Sequence, residues 1–462
     1  MTNQISNKRI GDLNPILLSE LLEKFGKESK ILKWDVGASS SRDISVQVHQ
    51  GNAKQLKGSQ RNSMTLRVWN NNNQVGITST SDLTNKGIKK AMKGAIDASF
   101  FGNENESPEF SSLAKSPLNE INSKLNADHG IDELLTILKK AERNLIETHK
   151  SIDSVPYNGL SESHMERIYI NSDGANRYMK LTQSSIYLYA KAQEEKRKPR
   201  SAGGVRISSN LEQLDIDECI EETSSKLISH LNYKAIETKK YLICFTPEAF
   251  LQLISAFSSM FNARSIIDGL SLMNEESLGD QIAVKTLNIS DEGLHPENIG
   301  AFSFDGEGTP TQNITLIESG VLKNLIHSEA TARKFGVKPT GHAGLGAKVS
   351  VSPDWLVVRK SENEKNSNES LSIKNTLEEY ILIDELSALH SGVKASQGSF
   401  SLPFDGWIVN DGKKTSIEAA TVAGDILKVM NNIVNIENEQ IITHQGISPY
   451  VWVENISITG EA

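Results

Sequence analysis

Residues 302–346 hold the side chains whose types and spacing could do chemistry. Asp305 and Glu307 flank Gly306 in a turn signal, and two carboxylates this close can divide acid and base work between them. Downstream, His342 sits in a glycine-rich loop at 341–346. An imidazole there could donate or accept a hydrogen bond near neutral pH, so Gly341, His342 and Gly344 read as lining a substrate or partner cleft. Taken together, Asp305, Glu307 and His342 would make a self-sufficient hydrolase. Each also has a plainer reading. Carboxylates favour turns because their oxygens accept nearby backbone N–H groups, and a histidine between small residues can simply pack against backbone.

Metal chemistry has little to stand on. The ten histidines include no HxxxH and no HExxH. His444 offers one imidazole, which does not hold zinc without partners. His295 with Asp291 and Glu292 would form a weak set on an extended loop, and His327 beside Glu329 and Arg333 reads as a solvated helix face. The glycines at 341–346 lack a Walker lysine and do not form GxGxxG after a strand, so phosphate cradling is unsupported. The Ser/Gly-rich run 391–401 lacks GxSxG, so no nucleophile elbow is expected.

These residues need elements to hold them. A short apolar run at 301–304, the turn at 305–308, alternating residues either side of Ser319-Gly320 and a helix ending at Gly336 read as strand, turn, strand, turn, strand, helix. Upstream, helices are expected at 17–25, 83–100, 131–149, 217–231 and 246–261, the last opened by Thr246-Pro247-Glu248. Strands are expected at 44–48, 53–57, 64–69 and 75–79, then at 167–171, 178–182, 186–191 and 204–208. Segment 34–41 is small and polar, and 101–128 reads as a long linker or irregular lid. The second strand group with its helix repeats the grammar of the first, which implies two related units. Farther on, strands are read at 241–245, 280–287, 407–412 and 451–458, a strand then a helix at 417–430, the start of an ordered run at 377–382, and a polar insert at 361–370. The fold class is α+β: an N-terminal lobe of two related strand-rich units each followed by a helix, and a C-terminal lobe of mixed, mostly antiparallel sheet with flanking helices. The expected divisions are 1–128, 129–238 and 239–462.

At 462 residues the chain can bury several cores. With 49 Lys plus Arg against 58 Asp plus Glu, its net charge of −9 gives no reason to expect direct nucleic-acid contact. The densest basic cluster, Lys196-Arg197-Lys198 with Arg200, reads as a solvated hairpin tip. Cys219 and Cys244 lie in apolar stretches and read as buried free thiols, which fits a reducing cytoplasm. The first residues show no apolar secretory core, and no apolar run reaches the ~18 residues of a membrane helix.

In their order and spacing, several motifs resemble the TldD/PmbA family, and its PmbA (TldE) branch more closely. They are FDGEGTPT at 304–311, SGVL at 319–322, ARKFG at 332–336, TGHAG at 340–344, FDGW at 404–407 and IEAATVAG at 417–424, with 42–51 and 79–83 in the first unit. The resemblance implies a zinc-dependent peptidase assembly in which a TldD-type subunit pairs with a PmbA-type subunit. The TldD type carries HExxxH on the first helix of the C-terminal section and a cysteine near the C-terminus. The comparable helix here, 248–257, contains no histidine, and the comparable C-terminal region, 441–446, carries His444 instead. The implied role is the non-metal-binding subunit of a heterodimer, with no cofactor of its own and zinc in the partner. It would help enclose a chamber for unfolded or extended peptides, held by strand addition. A homodimeric peptide-binding or regulatory module is the other outcome. The family also carries the older label of DNA gyrase modulator, taken here as indirect.

Overall fold

Strands β1 (Lys33–His49) and β2 (Asn52–Trp69) run for 17 and 18 residues, far longer than the pieces that alternation marks out. The computed structural model describes residues 13–102, 108–119, 121, 129–344, 349–361 and 379–460. The small, polar segment 34–41 is part of β1, because the two faces of this sheet meet different neighbours. Trp34, Val36 and Ala38 of β1, with Met64, Leu66 and Val68 of β2, form one apolar face under helices α1 (Pro15–Ser29) and α2 (Asn85–Ser99). The alternate residues Asp35, Gly37, Thr65 and Arg67 face the other way, toward Glu307 of the C-terminal section. Asp35, Gly37, Thr65 and Arg67 are small or polar, so that stretch of the face has no apolar period to read.

The two-unit reading survives in detail. A helix, a three-stranded meander and a second helix occur twice: α1-β1-β2-β3-α2, then α3-β4-β5-β6-α4. The remaining members are β3 (Val75–Thr80), α3 (Ile131–Glu147), β4 (Ile152–Asn171), β5 (Asn176–Ala192), β6 (Arg200–Ser208) and α4 (Ile216–Ser229). Antiparallel pairing of β1 with β4, from Asp35 opposite Asn171 to Val46 opposite Leu160, fuses both meanders into one sheet, β3-β2-β1-β4-β5-β6. Val46, Leu160, Ile186 and Leu188 continue the apolar face under α3 and α4. β6 ends this sheet, with a partner on one side only among the described residues.

The C-terminal section builds a six-stranded and a nine-stranded sheet around the largest core. Helix α5 (Pro247–Ala256) packs on strands of both. Thr246 caps it, accepting a hydrogen bond from Ala249 N at 3.2 Å, and Pro247 occupies the first turn. Ala249, Phe250, Leu251, Leu253 and Ile254 are fully buried, while Glu248, Gln252 and Ser255 make a narrow polar stripe along the helix. It stops at Ala256, and a 3₁₀ turn, Ser258–Phe261, completes the span read as one helix. The strand expected at 280–287 forms instead at Leu287–Glu292, and the run 301–304 makes only a single bridge, Phe304 with Pro310. The six-stranded sheet ends in the two-residue strand Ile441–Ile442.

The segment read as a linker or lid is, in its described part, a strap between the lobes. Phe110 meets the Trp69 ring edge-on at 5.1 Å, and Ala114 packs with Tyr169 and Phe304. The remainder of that segment, the insert at 362–378 and residues 345–348 of the glycine loop lie outside the described residues.

Candidate functional site

The turn at 305–308 is built by its own carboxylate. Asp305 Oδ1 accepts the backbone N–H of Glu307 (2.8 Å) and Thr309 (2.9 Å), while Oδ2 accepts that of Ala343 (3.0 Å). Gly308 has φ +77°, and a Cβ there would fall 2.3 Å from the Tyr169 ring, so only glycine fits. The turn therefore binds the glycine loop on one side and presents Glu307 to the N-terminal lobe on the other.

Glu307 Oε2 accepts the backbone N–H of Glu329 at 2.8 Å, and Oε1 lies 3.7 Å from Arg67 Nη1. Arg67 forks onto Asp35, with Nε donating to Oδ1 at 2.9 Å and Nη2 to Oδ2, and the Tyr169 hydroxyl donates to Asp35 Oδ2 at 3.0 Å. All four groups are buried. Burial pushes the Glu307 carboxyl up to about 7 against the pull of Arg67. Burial also raises Asp305, despite its three backbone donors and Arg167. Arg67 is held charged: burial opposes its charge, and Asp35 and Glu307 outweigh burial.

His342 turns elsewhere. Its Nδ1 is 2.9 Å from Thr340 Oγ1, and its Nε2 is 3.3 Å from Asp291 Oδ2, close enough for an ion pair but without hydrogen-bond alignment. Burial opposes protonation of this ring, yet Asp291, Asp354 and Asp305 together raise its pKa. Burial likewise lifts Asp354 to about 6. Asp305, Glu307 and His342 thus share a neighbourhood but point at three different partners. Gly344 borders the small polar void beside Asp35 and Arg67, and a Cβ at Gly341 would strike Pro310 backbone. His327 is not solvated. It is buried edge-on to the Phe335 ring, and burial, then His342, depress it to about 4.

The large cavity lies apart from that junction. A cleft of about 990 Å³ opens between α4 and β6 on one wall and the start of α5, residues 297–302, Trp355, Asp384 and residues 441–445 on the other. A lysine sits among carboxylates on its wall. Lys226 Nζ is 2.9 Å from Glu222, 3.3 Å from Asp384 and 3.7 Å from Glu248, and Arg206 reaches Glu218 (3.0 Å) and Glu222. His444 faces this group, its Nδ1 3.7 Å from Glu248 Oε1. Sequence reasoning missed Lys226, Glu222 and Asp384. The first two look like a surface i,i+4 pair; Asp384, directly after the apolar run Ile381-Leu382-Ile383, was the available signal.

These residues do not fit a zinc ion. Besides Glu248, the polar side chains of α5 are Gln252 and Ser255, neither a usual zinc ligand, and an ammonium already lies amid the carboxylates near His444. Among the described residues no group of three or more His, Cys, Asp or Glu is arranged to hold a metal. The set around His295 does not converge either: Asp291 is buried against His342 and the Asp354 and Trp355 amides, and Glu292 is tied to Arg359. Both cysteines are buried free thiols, and burial raises Cys219 to about 11. No described helix is long and apolar enough to cross a membrane.

Three family models cover this architecture in order: PmbA/TldA metallopeptidase domain 1 over residues 34–99, the central domain over 124–231 and the C-terminal domain over 238–460. The chain belongs to the PmbA/TldA metallopeptidase family. It is 22% identical over 412 residues to the metalloprotease PmbA of Escherichia coli O157:H7, covering 88% of this chain and 87% of that one. A PmbA homolog from Buchnera aphidicola subsp. Baizongia pistaciae is 23% identical over 394 residues, 84% of each. Among solved structures, TldE from Thermococcus kodakarensis superposes with a TM-score of 0.81 at 20% identity, covering 96% of this chain and all of that one. A Thermotoga maritima protein described as a candidate modulator of a DNA gyrase gives 0.84 at 23%, with the same coverage. At these identities the structural likeness speaks for the fold.

Proposed function

We propose that this chain is the PmbA/TldE-type subunit of a two-chain metallopeptidase acting on unfolded or extended peptides in the cytoplasm. It would form walls and substrate contacts, while a TldD-type partner supplies the zinc and the water. The observation that carries this reading is the cleft at the start of α5: a large cavity to which that helix presents Glu248 and Ser255 and no histidine, beside a lysine-filled carboxylate cluster. Two terminal strands contribute to its lining, β6 through Val205, Arg206 and Ile207, and the 441–442 strand through both its residues. Either edge could pair with an extended backbone, which tolerates many sequences because it uses peptide groups alone. The chain's own residues would bind and orient the peptide. The net charge of −9 gives no support to direct DNA contact.

The test is reconstitution. The purified chain, alone and mixed with an HExxxH-bearing subunit of the same family, is given an unfolded reporter peptide. The expected result is binding without cleavage by the chain alone, and cleavage by the mixture. Metal-stimulated cleavage by the lone chain, abolished by His342→Ala, would establish an independent hydrolase instead. Recovery from the native cell of self-copies only would favour a homodimeric binding module.

A further inference from the structure

The same cleft has a strong charge bias, which bears on what peptide it takes. Six carboxylates line it against two cations. Both cations are already engaged: Arg206 with Glu218 and Glu222, and Lys226 with Glu222, Glu248 and Asp384. Glu297, on the facing loop, adds a further negative charge. Two strand edges bear on how a peptide would lie there: β6 lines the cleft through Val205, Arg206 and Ile207, and the 441–442 strand through both its residues.

We propose that the cleft selects extended peptides carrying lysine or arginine side chains. This deepens the peptide-binding reading and rests on it. A backbone laid along the β6 or 441–442 edge sends alternate side chains to one side, about 7 Å apart. Cationic side chains at such positions would meet the cleft-lining carboxylates Glu248 and Glu297. A concave, one-signed site concentrates counter-charge and also speeds encounter. Acidic peptides are repelled by the same field, so the selection works in both directions.

The experiment is fluorescence anisotropy with the full chain and three labelled unfolded decapeptides, differing only in Lys, Gln or Glu at alternate positions. At about 50 mM salt the Lys peptide should bind on the order of tenfold tighter than the Gln peptide, with the Glu peptide weakest, and the gap should shrink near 500 mM. The Glu248→Gln/Glu297→Gln variant should narrow the gap between the Lys and Gln peptides. Glu20→Gln/Glu23→Gln, on the exposed face of α1, should leave all three unchanged. Equal binding of the Lys and Gln peptides, or a gap altered as much by the α1 variant as by the cleft variant, overturns the selectivity and leaves peptide binding standing. Failure of all three peptides to bind overturns both.

Discussion

Replacing Arg67 with methionine will destabilise the protein by about 3–5 kcal/mol, the usual cost of removing one partner from a buried ion pair. Methionine keeps much of the apolar stem and removes the charge, so little of the loss is cavity formation. What remains is Asp35, still accepting from Tyr169, and Glu307, whose nearest cationic atom in this network was Arg67 Nη1 at 3.7 Å. Both are buried, and neither regains water without opening the contact between β1–β2 and the 305–308 turn. The loss should therefore weaken attachment of the two lobes as well as global stability. Urea unfolding followed by tryptophan fluorescence checks it, with Arg61→Met as reference. Arg61 is exposed and 3.8 Å from Asp43, and its loss should cost less than about 1 kcal/mol. Adding Glu307→Gln to Arg67→Met should recover part of the loss, since one stranded carboxylate disappears. If the Arg67 and Arg61 variants unfold alike, the buried network is not what joins the lobes.

The second large effect is a pH dependence carried by Glu307. Its carboxyl titrates at about 7 in the folded protein against 4.5 when unperturbed, so the folded state holds this proton more tightly than the unfolded state does. Stability from this group is full below pH 4.5, declines as pH rises, and is gone above 7. At about 1.4 kcal/mol per pKa unit, roughly 3 kcal/mol is at stake. His327 and His230, each depressed to about 4 chiefly by burial, act in the opposite sense between pH 4 and 6.5. The comparison must therefore be made at matched pH. Glu307→Gln keeps an acceptor for Glu329 N and cannot ionise. It should match the wild type near pH 4 and exceed it by up to about 3 kcal/mol at pH 8, read from urea midpoints. A variant less stable than wild type at pH 8 would show that the charged form is wanted, through Arg67.

What the sequence made legible is what local chemistry decides. Thr246-Pro247 opens a helix because a cap and a fixed φ act within one turn, Gly336 closes one with a left-handed residue, and Asp305 organises its own turn. The repeated units were legible because their corners and helices recur in order. The full length of β1 was not, since Asp35 and Gly37 face the other lobe and carry no apolar period. His327 was misread as solvated for a related reason. Its neighbours in sequence are polar, while its neighbours in space are Phe335, Thr331 and Thr340. The cleft was least legible, because its charged cluster draws on α4, α5, the strand Glu379–Leu386 through Asp384, and the 441–445 segment, which meet only after folding.

The most direct measurement is elemental analysis of the purified chain together with peptide cleavage in the presence and absence of a chelator. The account predicts no stoichiometric zinc and no chelator-sensitive cleavage until a metal-bearing subunit is added. Tightly held zinc in the lone chain, with cleavage that a chelator abolishes, would contradict it.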